Sequence, residues 1–99
     1  MKTKGAQYVW LNGEFVEWDK AQVPITTHAL HYGTSVFEGI RAYSSKDNLY
    51  IFKLREHVER VFQSASIYSM TINHSIEEVM NGIVELLQKC NMRQSCYIR

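Results

Sequence analysis

The sequence is poor in cysteine and proline and has no long hydrophobic run. Its two cysteines, Cys90 and Cys96, are not spaced as a CxxC pair and lie in or beside apolar patterns. We therefore expect reduced, partly buried thiols rather than disulfides. No stretch approaches the roughly 20 apolar residues of a membrane span, and the basic start MKTK is not followed by the apolar core of a signal peptide. These absences favour a soluble, cytoplasmic protein without a membrane partner.

The sequence also lacks a dominant charge. Eleven Lys and Arg nearly balance ten Asp and Glu, and neither sign forms a run. This balance excludes the basic footprint of a protein that binds nucleic acid or an anionic membrane. His28 and His31 have no third ligand nearby in the sequence, so we expect satisfied loop histidines and no metal site.

The first half of the chain is typical of β-hairpins. Asn12-Gly13 separates two β-favouring runs, and this dipeptide suits a tight hairpin turn because both of its residues accept positive φ. Residues 21–33 hold the single proline and show no period, which predicts an extended piece and a loop. Residues 35–43 and 49–52 predict a second hairpin across the turn formers of 44–48, with Gly39 marking a bulge or a close approach.

The second half has the three- and four-residue periods of helices. One apolar stripe runs from Leu54 to Tyr68, and a second helix begins after Ser75, which forms a capping-box pattern with Glu78. Residues 95–99 resemble the beginning of a further strand. The sequence thus predicts one α+β domain over residues 1–99, with four strands, two helices and an unfinished sheet edge that needs a partner.

Spacing alone assigns few functional residues. Arg60 stands at the margin of the first helix's apolar stripe, where it can point into a cleft or form a surface ion pair with Glu56, and spacing favours the ion pair. Tyr32, Phe37 and Tyr97 are by default core or half-buried aromatic residues. From the residues by themselves, the result is a soluble α+β domain that is incomplete at its C-terminal end.

Four segments resemble the start of branched-chain amino acid aminotransferases, which are fold type IV enzymes dependent on pyridoxal 5'-phosphate. The most specific is HYGTSVFEGIR, within residues 28–43. Relatives that act on D-amino acids or on aminodeoxychorismate share the loop and the later helix arginine but usually lack the full SVFEGIR run. Further likeness lies in three other segments: YVWLNGEFVEW, REHVERVFQSASIY and the closing YIR.

The resemblance implies a small N-terminal domain with an antiparallel sheet of hairpins and two helices. A larger domain would follow and carry the Schiff-base lysine, with the cofactor in the cleft between them. None of lysines 2, 4, 20, 46, 53 and 89 matches that lysine, so we expect no catalytic residue and no transaminase activity in this chain alone. Arg60 matches the arginine that binds the cofactor phosphate, a role for which a guanidinium fork is suited.

Substrate-binding roles are also implied by the resemblance. Phe37 and Tyr97 match walls of the pocket for the apolar side chain, and Gly39 matches a backbone position close to the substrate. Tyr32 resembles a tyrosine that reaches the neighbouring subunit's site. Arg99 resembles an arginine that meets a carboxylate, notably the distal carboxylate of glutamate.

The implied function is exchange of an amino group between leucine, isoleucine or valine and 2-oxoglutarate, by a homodimer or a larger homo-oligomer in branched-chain amino acid biosynthesis. The alternative from another class is a stand-alone, non-catalytic assembly module. A D-amino acid aminotransferase and an aminodeoxychorismate lyase are the alternatives within the fold. The sequence leaves open the preferred substrate, dimer against hexamer, the metabolic direction and the reason for ending at Arg99.

Overall fold

Residues 5–99, the part of the chain that the computed structural model describes, form two antiparallel sheets and three α-helices. This arrangement confirms the predicted α+β class. Lys2 and Lys4 lie outside the described residues. In chain order the elements are β1 (Tyr8–Leu11), β2 (Glu14–Glu17), a 3-10 turn (Trp18–Lys20), α1 (His28–Tyr32), β3 (Ile40–Ser45), β4 (Asn48–Ile51), α2 (Leu54–Ile67), α3 (Ile76–Lys89) and β5 (Cys96–Ile98).

The first sheet is the predicted hairpin of β1 and β2. Leu11 pairs with Glu14, and both turn residues have positive φ, 53° at Asn12 and 88° at Gly13. These dihedrals are those that a two-residue turn matching the twist of its strands requires. The Asn-Gly prediction is confirmed.

The second sheet has the order β4-β3-β5, so β3 is its central strand. β3 pairs with β4 as the predicted second hairpin, and it pairs antiparallel with β5 so that Ile40 faces Ile98. Ile40, Ala42 and Ile98 form the buried centre of the core, which α2 and α3 cover through Leu54, Ile83 and Leu87. The opposite face of this sheet carries several predicted site residues, whereas Arg60 lies on α2.

Both long helices match the prediction. α2 buries Val58 and Ala65, and α3 starts at the predicted cap. The Ser75 hydroxyl accepts a hydrogen bond from the Glu78 backbone N–H at 3.0 Å, and the Ser75 backbone N–H donates to the Glu78 carboxylate at 3.3 Å. The predicted capping box is therefore present, and it fixes the start of α3.

Three sequence-based expectations were wrong. The segment assigned to a loop contains the short helix α1, whose C-cap is Gly33 with a φ of 70°. The strand predicted from residue 35 begins only at Ile40. The count of four strands is also wrong, because the further strand expected at residues 95–99 is present as β5 and pairs with β3, so the described part of the chain has five strands. Among the residues described, no helix is long and apolar enough to cross a membrane.

Candidate functional site

The outer face of the second sheet, turned away from α2 and α3, gathers several predicted site residues. Side chains alternate between the two faces of a strand, and directly paired residues share a face. Ile40 and Ile98 point into the core. Tyr97 and its partner Arg41 therefore lie on the outer face, as do Gly39 and Arg99 when the alternation is continued by one residue.

Gly39 is where the Tyr97 side chain crosses the backbone of the neighbouring strand. A Cβ atom built on Gly39 would overlap the Tyr97 hydroxyl oxygen and lie 2.6 Å from Tyr97 Cζ. The guanidinium of Arg41 lies over the Tyr97 ring, with its Cζ 5.7 Å from the ring centroid. The absence of a side chain at residue 39 thus leaves room for the Tyr97 ring.

Phe37 and Arg99 form the second contact of this face. The Arg99 Cζ lies over the Phe37 ring at 4.0 Å from its centroid, within the range of a cation–π interaction. A guanidinium over a ring keeps the N–H groups of its rim available as donors. Phe37 and Tyr97 remain 60% and 54% exposed, so this surface presents aromatic area to solvent or to a partner.

Arg60, on α2, does not form the predicted ion pair with Glu56. Its Nε donates to Glu38 Oε2 at 2.8 Å and its Nη2 donates to Glu38 Oε1 at 2.7 Å. His57 lies one helical turn earlier, and its Nδ1 is 2.8 Å from Glu38 Oε1. Because Glu38 stands between Phe37 and Gly39 in the chain, this contact ties α2 to the outer-face residues.

The charges of this cluster stabilise each other. Hydrogen bonds from Arg60 and then from His57 lower the pKa of Glu38 to about 2, against a weaker opposing effect of burial. The Glu38 carboxylate in turn raises the pKa of Arg60 above its ordinary value. Both groups are therefore charged at neutral pH.

A cavity of about 730 Å³ lies between the first hairpin, the second sheet and the two long helices. Its walls are mostly apolar and include Trp10, Val58 and Ile83, while Phe37 and Arg99 stand at one side. A second cavity, of about 610 Å³, lies between the β3–β4 turn and the end of α3, and its walls hold Lys46, Asp47 and Arg93. Only the first cavity touches predicted site residues.

The fold does not bring Tyr32 together with the other predicted site residues. It ends α1, is 74% exposed, and contacts the His28 ring at a centroid distance of 4.5 Å. The Nε2 atom of His31 lies 2.7 Å from the Ile25 carbonyl oxygen. Within residues 5–99 no three potential ligands group around a possible metal position.

Sequence reasoning missed Glu38 and His57. Glu38 belongs to the motif that carries the resemblance, and His57 precedes Arg60 by three residues on the same helical face. An acidic residue within a specific motif was the available signal. Helical spacing could not show it, because Glu38 contacts α2 from outside the helix.

Comparison with known proteins identifies the family to which this chain belongs. The model of the family described as amino-transferase class IV matches residues 35–99. The branched-chain-amino-acid aminotransferase of Escherichia coli (strain K12) is 48% identical over 99 residues, which are 100% of this chain and 32% of that protein. This chain therefore spans about one-third of the length of the curated relatives it matches.

Two solved structures show the same fold. The branched-chain aminotransferase of the archaeon Thermoproteus uzoniensis, solved with norvaline, superposes with a TM-score of 0.90 at 39% identity, over 94% of this chain and 31% of that one. The branched-chain amino acid aminotransferase of Thermobaculum terrenum, solved in its PLP-bound holo-form, gives a TM-score of 0.81 at 30% identity, over 93% and 31% of the two chains.

Proposed function

Because this chain belongs to the class IV amino-transferase family, we propose that it forms the N-terminal small domain of an aminotransferase that uses pyridoxal 5'-phosphate. The family model covers more than half of the chain. The amino donors would be leucine, isoleucine and valine, and the acceptor 2-oxoglutarate. A larger part of the protein, matching the remainder of its relatives, would complete the site and supply the lysine that holds the cofactor.

The observation that carries this proposal is the exposed guanidinium of Arg60. Glu38 occupies the Nε–Nη2 edge of the fork, and the Arg60 side chain is nonetheless 63% exposed. The Nη1 edge therefore keeps N–H donors for a doubly charged phosphate, which guanidinium groups bind by paired, charge-assisted hydrogen bonds. The residues present thus fit the phosphate of the cofactor.

When bound, pyridoxal 5'-phosphate supplies an electron-withdrawing ring that stabilises negative charge at the α-carbon of the amino acid. The residues of this chain bind and orient. Phe37 and Tyr97 exclude water and receive the apolar side chain, and Gly39 allows the backbone to approach the substrate. Arg99 binds the distal carboxylate of glutamate through its rim, while the Phe37 ring beneath it contacts the branched side chain.

Much of this surface is suited to being covered. The accessible surface of 7821 Å² exceeds the about 5,800 Å² expected of a compact 11.6-kDa monomer. Ile25, Leu30 and Tyr32 are each more than 60% exposed near α1. We propose that a second copy covers the α1 region in a homo-oligomer, with Tyr32 reaching the neighbouring site, and that the protein acts in the cytoplasm.

The test is cofactor binding by the protein expressed from its complete reading frame. Arg60→Ala should raise the dissociation constant for pyridoxal 5'-phosphate by about 10- to 150-fold, which corresponds to the loss of a hydrogen bond to a charged group. Arg55→Ala is the matched control, because Arg55 is on the same helix and pairs at the surface with Glu77 at 3.4 Å. Wild-type protein that neither binds the cofactor nor transaminates leucine, or an Arg60→Ala variant with unchanged affinity, contradicts the proposal.

A further inference from the structure

Glu38 lies behind Arg60 as seen from solvent. The side chains of Glu38 and His57 are only 12% and 18% exposed, whereas that of Arg60 is 63% exposed. The carboxylate is therefore the inner member of the cluster and the guanidinium the outer one. This arrangement holds the Nε and Nη2 atoms of Arg60 against Glu38 and leaves the rest of the guanidinium exposed to solvent.

The hydrogen bonds divide the guanidinium into two edges. Glu38 accepts from Nε and Nη2 through its two oxygens, which is the side-on, bidentate geometry of a strong Arg–carboxylate pair. No donor of Nη1 is engaged by this carboxylate. Within residues 5–99 none of the hydrogen bonds of Arg60 uses Nη1, while the pair with Glu38 already fixes the orientation of the guanidinium plane.

His57 adds to the hold on the carboxylate. Its Nδ1 is 2.8 Å from Glu38 Oε1 and 3.4 Å from Arg60 Nη2. A carboxylate only accepts, so the shorter contact assigns the proton to Nδ1, and Nδ1 then cannot accept from Arg60. Oε1 therefore accepts from both residues of α2, which restrains Glu38 against rotation.

We propose that Glu38 is a positioning residue that orients Arg60 to receive the cofactor phosphate, with His57 bracing the carboxylate. This inference rests on the proposed function, in which Arg60 binds that phosphate. An exposed arginine loses side-chain entropy when a ligand immobilises it. Here the pair with Glu38 orders the side chain before the ligand arrives, and the lowered pKa of Glu38 keeps the carboxylate ionised at neutral pH.

Two effects of Glu38 on a phosphate oppose each other. Its negative charge repels the phosphate, and its hydrogen bonds hold the guanidinium in place. If orientation dominates, removal of the carboxylate weakens phosphate binding, and if repulsion dominates, removal strengthens it. The sign of the change therefore decides the proposal.

The experiment compares pyridoxal 5'-phosphate with pyridoxal, which lacks the phosphate, in protein expressed from the complete reading frame. Dissociation constants are measured by absorbance and fluorescence titration. Glu38→Gln should raise the dissociation constant for pyridoxal 5'-phosphate about 10-fold, which corresponds to the loss of roughly one charged hydrogen bond. The dissociation constant for pyridoxal should change less than about 2-fold. In an Arg60→Ala background the same substitution should have no further effect, because Glu38 acts through Arg60.

Glu77→Gln is the control variant. It removes the other arginine–glutamate contact of α2, between Arg55 and Glu77, and should change neither constant. Glu38→Gln overturns the proposal if it leaves cofactor affinity unchanged or tightens it. The proposal is also overturned if Glu38→Gln weakens the binding of both ligands to the same extent, or if its effect persists in the Arg60→Ala background.

Failure of the proposed function has a different signature. Wild-type protein that does not bind the cofactor, or Arg60→Ala with wild-type affinity, removes the phosphate site and the role of Glu38 with it. Loss of binding in Arg60→Ala together with unaffected Glu38→Gln removes only the role of Glu38. Should Glu38→Gln not fold, a crystal structure of the cofactor-free wild type decides: Arg60 ordered on Glu38 supports the proposal, and Arg60 disordered or turned elsewhere overturns it.

Discussion

The Arg99 guanidinium covers the Phe37 ring at 4.0 Å, although one residue follows β5 and the other precedes β3. The antiparallel pairing of Ile40 with Ile98 brings the two together. A cation and an aromatic surface thus meet at one point of the outer face. This contact places an apolar ring and the N–H donors of a guanidinium side by side.

Substitution of Arg99 should separate the two kinds of substrate. In the protein expressed from its complete reading frame, we expect Arg99→Gln to raise KM for glutamate by about 10- to 100-fold, the loss of a charge-assisted pair, and to leave KM for leucine within about 3-fold. Steady-state kinetics with each amino donor measure this. Arg93→Gln, in an exposed residue at the other cavity, is the control, and equal changes for both donors would disprove the role of Arg99.

Addition of a methyl group at residue 39 should displace Tyr97. Gly39→Ala brings a Cβ atom into overlap with the Tyr97 hydroxyl, and the half-exposed ring can relieve the overlap by moving toward solvent. We expect a modest loss of about 1 kcal/mol in the free energy of unfolding, at the lower end of overpacking costs, measured by urea denaturation. Gly39→Ala combined with Tyr97→Ala should abolish this loss relative to Tyr97→Ala alone, and a persistent loss would place the strain elsewhere.

The Glu38 cluster predicts acid sensitivity in a defined range. The pKa of Glu38 falls from its ordinary 4.5 to about 2 on folding, so its ionised form stabilises the fold fully above pH 4.5, and this stabilisation is lost as the pH falls toward 2. We expect a loss of about 1–3 kcal/mol across that range, the scale of hydrogen bonds to a charged group. Glu38→Gln should remove this part of the pH dependence in urea unfolding at a series of pH values. Glu77→Gln should retain it, and an identical profile for Glu38→Gln would refute the assignment.

The capping box predicts a cost for losing one hydroxyl. Ser75→Ala leaves the Glu78 backbone N–H without its partner at the start of α3. We expect the free energy of unfolding to fall by about 1 kcal/mol, the usual cost of removing a cap. Ser64→Ala, within α2, is the matched control and should be neutral or slightly stabilising because alanine favours helix interiors. Equal effects at the two serines would contradict a capping role for Ser75.

The sequence determines the local elements well. The Asn12-Gly13 turn, the two long helices and the box at Ser75 were each predicted from signals that lie within a few neighbouring residues. The short helix α1 was missed because five residues are too few to show a helical period. Its one signal was Gly33, whose left-handed conformation is typical of a residue just after a helix.

The candidate site depends on contacts between distant residues, and this limits prediction from spacing. The i,i+4 rule favoured Glu56 as the partner of Arg60, whereas the actual partner is Glu38. The gathering of Phe37, Gly39, Tyr97 and Arg99 follows from the β3–β5 register, which no local pattern specifies. Their roles came from resemblance to a family and stay predictions until the variants are measured.

The pairing of β5 with β3 has a consequence for the order of folding. Ile98 completes the buried centre that Ile40 and Ala42 begin, and the whole of α2 and α3 is synthesised between these partners. Contacts this distant in sequence form late, so a nascent chain that has not yet released residues 96–98 from the ribosome exposes one edge of β3. Unpaired edges recruit other strands. Translation that stalls before Cys96 should therefore yield a species that aggregates and requires a chaperone.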